Sequence, residues 1–188
     1  MAGSPISLHP APGAGFDAPF DMLSACHERV ERMLQLLERL DAHLPVHGCD
    51  RAAVDAARDV MRYFDLAAPA HHEDEERHVL PVLRAQGDDA FAAQLQQEHV
   101  EMKRRWAELR RTLLEVAGGT WVAGSGTQAI DGLKPFAALY RAHAAAEDTL
   151  AFPATRAQLD PDAQRAMGQE MASRRGVPGP LRAPSGRG

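Results

Sequence analysis

Histidine and glutamate recur along this chain at a matched spacing. Six of these residues form three pairs, and the two members of every pair lie 72 positions apart. The pairs are His27 with His99, His71 with His143, and Glu75 with Glu147. Each half of the chain therefore carries one histidine followed by an H-x-x-x-E motif. Imidazole and carboxylate ligands without thiolate suit iron, manganese or zinc, and disfavour copper(I) or a structural zinc site.

The H-x-x-x-E motif indicates that each histidine and its glutamate act together. On a helix, positions i and i+4 lie on one face, so both side chains can bind the same centre. Four imidazoles and two carboxylates favour two metal ions. If Glu75 and Glu147 each bridge, each ion receives two imidazoles and two carboxylate oxygens. An added oxo or hydroxo bridge leaves one open position per ion for a small molecule.

The apolar pattern predicts four long helices that position this His/Glu set. Apolar residues recur at alternating steps of three and four, as in amphipathic helices. The first, second and fourth predicted helices cover about 19–44, 51–80 and 127–150, and the third runs from a cap at Asp88 or Asp89 to about Ala117. All six residues of the set fall where the pattern demands burial. Burying such a group without a partner costs about 1–3 kcal/mol or more, so the set needs mutual hydrogen bonds or, more completely, a metal.

The predicted fold is all-α. It is an antiparallel up-down four-helix bundle with an internal twofold repeat, followed by a short C-terminal helix. No segment alternates with period two, so a sheet is not expected. Along the chain we predict a flexible N-terminal arm over 1–18, the bundle over 19–155, the short helix over 156–175 and a disordered tail over 176–188.

Composition narrows the class of protein. The 188 residues are 45% hydrophobic and 25% charged, with a formal charge of −5. A nucleic-acid binder would carry a basic stripe, and none is present in the sequence. No apolar stretch approaches the roughly 18 residues that cross a membrane, and the N-terminus does not resemble a secretion signal. Cys26 and Cys49 form no C-x-x-C motif, so a reducing cytoplasmic setting is expected.

Four segments resemble the hemerythrin-like (HHE cation-binding) domain. They are "CHERVERML" at 26–34, "APAHHEDEERHVLP" at 68–81, "QEHVEM" at 97–102 and "HAAAEDTLAFP" at 143–153. The resemblance covers about residues 19–155. It implies an up-down four-helix bundle that holds a non-haem di-iron centre. By this resemblance the four histidines of the His/Glu set are terminal ligands, and Glu75 and Glu147 are bridging carboxylates.

The ligand set is similar to that of the di-iron domain of iron–sulfur-cluster repair proteins. The oxygen-carrying hemerythrins of invertebrates use five histidines, with an H-x-x-x-H pair on the third helix. Here Lys103 stands where the second histidine of that pair would fall. Many repair proteins also have an N-terminal cysteine-bearing domain, which residues 1–18 are not expected to supply. Neither reversible oxygen carriage nor repair activity therefore follows from the resemblance.

The predicted function is binding of oxygen or nitric oxide at an open iron site. The cofactor is two non-haem irons with oxo or hydroxo and carboxylate bridges, and the output is sensing, scavenging, iron handling or iron-centre repair. A di-iron oxidase or peroxidase is an alternative, so enzyme activity stays open. A metal-free interaction bundle is a second alternative. Besides the diatomic ligand, we expect neither nucleic acid nor a membrane as partner.

Two further histidines flank the H-x-x-x-E motif of the second helix. His72 lies about 100° around the helix from His71 and is expected beside the site or at the surface, although a shifted register would make it the ligand instead. His78 follows Glu75 by one turn and can approach the site from one end. Leu150 occupies the matching position in the other half, which favours packing for His78.

Other neighbours of the set are expected to support it. Glu76 and Asp148 are related by the same 72-residue interval, and each can hydrogen-bond a ligand imidazole and raise its basicity. Cys26 is expected to be a small buried thiol, with a redox sensor as the alternative. Pro69 is expected to kink the second helix. Four apolar residues lie seven positions from a histidine of the set and are expected to wall a dry pocket: Leu34, Phe64, Trp106 and Phe136.

Overall fold

The computed structural model describes residues 15–122 and 129–177, which contain helices and no strand. Eight α-helices are present in these ranges: α1 (Pro19–His47), α2 (Arg51–Arg62), α3 (Ala68–His78), α4 (Leu80–Ala85), α5 (Asp89–Ala117), α6 (Leu133–Ala146), α7 (Phe152–Gln158) and α8 (Pro161–Arg174). A π-helical turn, Tyr63–Ala67, joins α2 to α3, and a second, Glu147–Ala151, joins α6 to α7. The all-α prediction is confirmed. Residues 1–14 and 178–188, which make up most of the predicted arm and tail, lie outside the described residues.

The predicted end of the first helix is wrong. Pro45 lies inside α1, which continues to His47 and ends where Gly48 adopts a φ of 67°. The amide of Gly48 donates to the Leu44 carbonyl at 2.9 Å. Proline removes one backbone donor in the last turn, but the turn is completed because a glycine follows that tolerates positive φ.

The predicted start of the fourth helix is also wrong. Residues 129–132 are not helical, and α6 begins at Leu133, after Gly132 with a φ of 81°. A left-handed residue cannot continue a right-handed helix, so the chain turns at Gly132 before α6 starts. Residues 127 and 128 of the predicted helix lie outside the described part of the chain. The third predicted helix agrees with α5, whose N-cap residue is Asp88, one of the two predicted caps, and which ends at Ala117.

The second predicted helix, 51–80, is interrupted at two places, each just before a proline. A π turn, Tyr63–Ala67, precedes Pro69, and Val79 separates α3 from α4 two residues before Pro81. Because each proline lacks an amide and its ring crowds the preceding turn, the helix widens or breaks just before it. A π turn therefore lies just before Pro69, where the sequence predicts a kink.

Helices α1, α2, α5 and α6 form a closed set of contacts: α1 packs on α2 and α6, and α5 packs on the same two helices. Their apolar residues form two clusters. The larger cluster joins the second halves of α1 and α5 to α2 and the first half of α6. The smaller joins the first turns of α1 and α5 to α4, α7 and α8. The His/Glu set lies between the two clusters in every helix that contributes to it.

Helix α8 is fixed to the remainder of the fold by charge and by a close backbone contact. Asp74 of α3 is fully buried and pairs with Arg174 and Arg175. Arg175 reaches both carboxylate oxygens, at 2.5 and 3.0 Å, and its Nη2 donates to the Ala70 carbonyl at 3.1 Å. Gly168 packs directly against the backbone carbonyl of Phe16, where any Cβ would collide. The end of α8 is thereby held against the helix that carries His71.

Within the described residues, no helix combines the length and the apolar character needed to span a membrane.

Loss of the Asp74 carboxylate should destabilise the fold. Asp74→Asn leaves two partly buried guanidinium groups without their carboxylate, and breaking a buried ion pair costs about 3–5 kcal/mol. We expect a value near 3 kcal/mol because Arg174 and Arg175 keep some contact with water. Urea denaturation of metal-free protein measures it. Asp162→Asn, which breaks an exposed pair with Arg165 on α8, should leave stability unchanged. Equal stability of all three proteins would contradict this interpretation.

The stability that the docking of α8 gives to the fold should also depend on pH. Hydrogen bonding from Arg174, assisted by His78, outweighs burial and lowers the pKa of Glu170 from 4.5 to about 2. Arg77 also faces this carboxylate, at 3.9 Å. A carboxyl group whose pKa is lower in the folded state stabilises the fold fully above its unfolded pKa and progressively less below it. Unfolding free energy of metal-free protein should therefore fall between pH 4.5 and about 2, and fall less in Glu170→Gln. Identical acid profiles would exclude this contribution.

Candidate metal centre

The six residues of the His/Glu set converge at one point in the fold. They form two groups of four, in each of which the ligand atoms lie within 4.8 Å of one another. The first group is His27, His71, Glu75 and Glu147, and the second is Glu75, His99, His143 and Glu147. Both glutamates belong to both groups. All six side chains are buried, and the two glutamates have no exposed surface.

Five segments of the chain bring these residues together. His27 lies on α1, His71 and Glu75 on α3, His99 on α5 and His143 on α6, and Glu147 opens the π turn that follows α6. The H-x-x-x-E spacing works as expected on α3, because Nε2 of His71 lies 2.9 Å from the Glu75 carboxylate. In the second motif, Nε2 of His143 lies 3.2 Å from Glu147.

The four imidazoles all present Nε2 to the two carboxylates. Nε2 of His27 lies 3.2 Å from Glu147 and 3.7 Å from Glu75. Nε2 of His99 lies 3.4 Å from Glu75 and only 3.0 Å from Nε2 of His143. The four Nε2 atoms therefore point into the same space between the side chains that the two carboxylates face.

The buried carboxylates need a positive charge. Among the described residues, neither oxygen of Glu75 or Glu147 has a hydrogen-bond partner of ordinary geometry, and neither does Nε2 of His27. Two carboxylates buried together in an apolar interior are strongly destabilising unless positive charge balances them. Metal ions would satisfy all of these atoms at once, and the donor types match those of iron, manganese or zinc. The set thus fits a pair of metal ions.

The pKa values of the His/Glu set also show that the buried carboxylates favour positive charge beside them. Burial opposes the charge on His27, but the nearby carboxylates of Glu147 and Glu75 outweigh it and raise its pKa to about 9. The pKa of His71 is also raised, because the Glu75 charge outweighs burial. Burial alone would raise the pKa of Glu75, yet the charge of His71 and the other imidazoles close to it hold it well below its usual range. The site attracts cations, which here are protons on imidazole.

The outer nitrogens of three imidazoles are held by carboxylates. Nδ1 of His27 lies 3.0 Å from Asp148, and Nδ1 of His99 lies 3.0 Å from Glu76. These are the two acids for which the 72-residue interval predicted such contacts. Nδ1 of His143 lies 2.7 Å from Glu98, which the sequence reasoning missed. The repeat gave no signal there, because the position matching Glu98 is a cysteine. Such contacts fix the ring and its tautomer, which leaves Nε2 free to bind a metal.

The sequence of residues 18–155 matches the family model of the hemerythrin HHE cation-binding domain. The chain belongs to this family. An "Uncharacterized protein" of Haemophilus influenzae (strain ATCC 51907 / DSM 11121 / KW20 / Rd) is 32% identical over 174 residues, which cover 90% of this chain and 97% of that protein. HHE domains bind metal ions, often iron, and the two groups of His and Glu ligands agree with that property.

The two flanking histidines lie outside both ligand groups of this HHE domain. His72 stacks on His99, with ring centroids 4.2 Å apart and planes 7° from parallel. Burial, followed by the neighbouring His99, holds the pKa of His72 well below its usual value, so its ring is neutral. His78 points to α8, where its Nε2 lies 2.6 Å from Glu170. His72 therefore lies beside the site, and His78 has a packing role.

Two cavities are each lined by one histidine of the set. The larger, about 450 Å³, is lined by His99, His72, Phe64, Trp106 and Tyr140 among others. The smaller, about 240 Å³, is lined by His27, Leu34, Tyr140 and Asp148 among others. Three of the four predicted wall residues thus line a cavity. Phe136 does not line either of these two and instead packs against Phe64 in the larger apolar cluster, with ring centroids 5.3 Å apart.

Removal of either shared carboxylate should impair metal binding. Glu75→Gln or Glu147→Gln takes a ligand from both groups, so we expect the protein to lose at least one of its metal ions when purified without air. Elemental mass spectrometry measures the metal content, and circular dichroism checks that the helices remain. Glu28→Gln, at an exposed position next to His27, is the matched control and should bind metal as the wild type does. Unchanged metal content in both ligand variants would refute the assignment.

Proposed function

We propose that this HHE domain is a non-haem di-iron protein that binds oxygen or nitric oxide. The observation that carries the proposal is that two four-residue ligand groups share Glu75 and Glu147. In this proposal His27 and His71 hold one iron, His99 and His143 hold the other, and the shared glutamates bridge the two. When bound, the iron pair supplies redox chemistry and open positions for a small ligand.

The proposed scaffold is an up-down four-helix bundle with a twofold repeat. The two apolar clusters support it, because the first turns of α1 and α5 lie with α4 and α7, which end the other two helical segments. Neighbouring segments therefore run in opposite directions. The ligands of the two halves then enter the centre from four sides. The predicted repeat of His and Glu at 72 residues is consistent with this arrangement.

The residues around the ligands have three separate tasks in the proposed function. The glutamates neutralise the charge of the irons in an interior without water. Asp148, Glu76 and Glu98 hold the outer nitrogens, which orients the imidazoles and makes their inner nitrogens stronger electron donors. Phe64, Trp106 and Tyr140 provide an apolar wall beside His99, which excludes water and favours small apolar ligands. An apolar pocket of this kind suits oxygen or nitric oxide better than a charged substrate.

A di-iron oxidase or peroxidase is the second candidate function. The larger cavity, at about 450 Å³, falls within the range of roughly 300–1,000 Å³ that holds small organic molecules. Its charged rim, which includes Lys103 and Glu76, could orient such a substrate. Steady-state consumption of oxygen or peroxide in the presence of a reductant distinguishes this function from ligand binding alone.

We also propose a cytoplasmic location, which agrees with the free thiols of Cys26 and Cys49.

Metal content tests the proposed cofactor. Protein purified without air should contain about two irons per chain, as expected from two ligand groups. Addition of nitric oxide to the reduced protein should then change its visible and electron paramagnetic resonance spectra. A single zinc, or no metal in a folded protein, would overturn the proposal and favour a structural or interaction bundle.

Access through the larger cavity gives a second test. Val100 is exposed at the cavity lip, next to His99, so Val100→Phe should narrow the mouth without disturbing the core. We expect nitric oxide to associate several-fold more slowly while the iron content stays at the wild-type value. Leu114→Phe enlarges an equally exposed side chain on α5 away from the cavity and should have no effect. Stopped-flow absorbance measures both rates; equal rates would exclude this route.

A further inference from the structure

The outer contacts of the imidazoles repeat between the halves of the fold. His27 with Asp148 and His99 with Glu76 are the same contact displaced by 72 residues. Both have a nitrogen-to-oxygen distance of 3.0 Å. Each ligand group therefore contains one imidazole whose Nδ1 is held by a carboxylate in an equivalent way.

The second imidazole of each group breaks this symmetry. His143 has Glu98 at its Nδ1, 2.7 Å away. His71 matches His143, and the residue that matches Glu98 is Cys26. The Cys26 thiol donates to the Met22 sulfur at 3.6 Å. Nδ1 of His71, which is almost fully buried, has no hydrogen-bond partner of ordinary geometry among the described residues.

The two outer partners differ in what they do to an imidazole. A carboxylate accepts the Nδ1 proton strongly, orients the ring and increases electron donation from the opposite nitrogen, whereas a thiol is a weak acceptor. Loss of such an outer contact typically lowers metal affinity by about 10–100-fold. His71 belongs to the group of His27, and His143 to the group of His99. The difference therefore falls on one ligand group only.

We propose that Cys26 makes the two metal positions unequal. The position of His27 and His71, the thiol-side position, binds its ion more weakly than the position of His99 and His143, the carboxylate-side position. Cys26 and Glu98 are positioning residues, since each acts on the ion only through an imidazole. The inference rests on the proposed function, because it requires that both groups bind metal.

Anaerobic titration of the metal-free protein with iron(II), followed by calorimetry, tests the inequality. The wild type should bind two ions in two steps whose affinities differ by about 10–100-fold. Binding of two ions with equal affinity would overturn the inference and leave the proposed function intact. Binding of fewer than two ions would overturn the proposed function itself, so the two failures are distinguishable.

Exchanging the residues beside the outer imidazole nitrogens tests whether Cys26 and Glu98 cause the unequal metal affinities. Glu98→Cys gives the carboxylate-side position the same partner as the thiol side, and Glu98 is partly exposed, so the variant should fold. The stronger step should weaken until the two steps merge. Gln97→Cys places a thiol at the neighbouring exposed position and should bind iron as the wild type does. A stronger step that is unchanged in Glu98→Cys would overturn the assignment.

The reverse exchange, Cys26→Asp, should instead strengthen the weaker step. Mössbauer spectra of protein loaded with enriched iron provide a readout that simple loss of stability would not reproduce. The wild type should show two different iron environments. In Glu98→Cys these should become alike, and the same spectra before and after the exchange would contradict the proposal.

Discussion

The burial of two carboxylates at the centre of the helices is the constraint on which the remaining structure depends. Glu75 and Glu147 have no exposed surface, and they lie between two apolar clusters that exclude water. Carboxylates in such a place must be neutralised, because the cost of desolvation is not recovered otherwise. Four imidazoles surround them and present Nε2 to them. The arrangement is costly for a purely structural core and well suited to bind cations.

The surrounding fold serves to hold this charged centre in place. Carboxylates on neighbouring helices fix three of the imidazoles, and α8 pairs with Asp74 directly beside the ligand Glu75. A π turn begins at Glu147 and another precedes α3, so the backbone is irregular close to the ligands on two segments. Irregular helical turns of this kind are frequent at functional sites. The apolar clusters on either side supply the packing that keeps the helices together.

Much of the site could be predicted from the sequence because chemistry and spacing coincide there. Each residue of the His/Glu set has a counterpart 72 positions away, and each falls on the face of its helix that the apolar pattern predicts to be buried. These six residues are the ones that converge in the structure. The contacts of Glu76 and Asp148 follow from the same interval. Glu98 could not be found in this way, since its counterpart is Cys26. Asp74 belongs to the acidic run 73–76, a pattern typical of an exposed helix face, yet it is fully buried because the arginines at the end of α8 pair with it.

The helix boundaries were less accurate, for local reasons. Pro45 suggests an end to α1, but the positive φ of Gly48 provides it. Apolar periodicity continues through residues 129–132, yet Gly132 turns the chain there. Periodicity describes which face is buried and says little about a single residue's backbone angles. The π turns are invisible to it as well, because buried residues still follow one another at a step of four across each turn, as Phe64 and Ala68 do.

A crystal structure of protein prepared without air, with anomalous diffraction data recorded at the iron absorption edge, would test the central claim most directly. The account predicts two iron peaks, one among His27, His71 and the shared glutamates, the other among His99, His143 and the same glutamates. A single peak, or a metal bound elsewhere with Glu75 and Glu147 making no contact to it, would contradict the account.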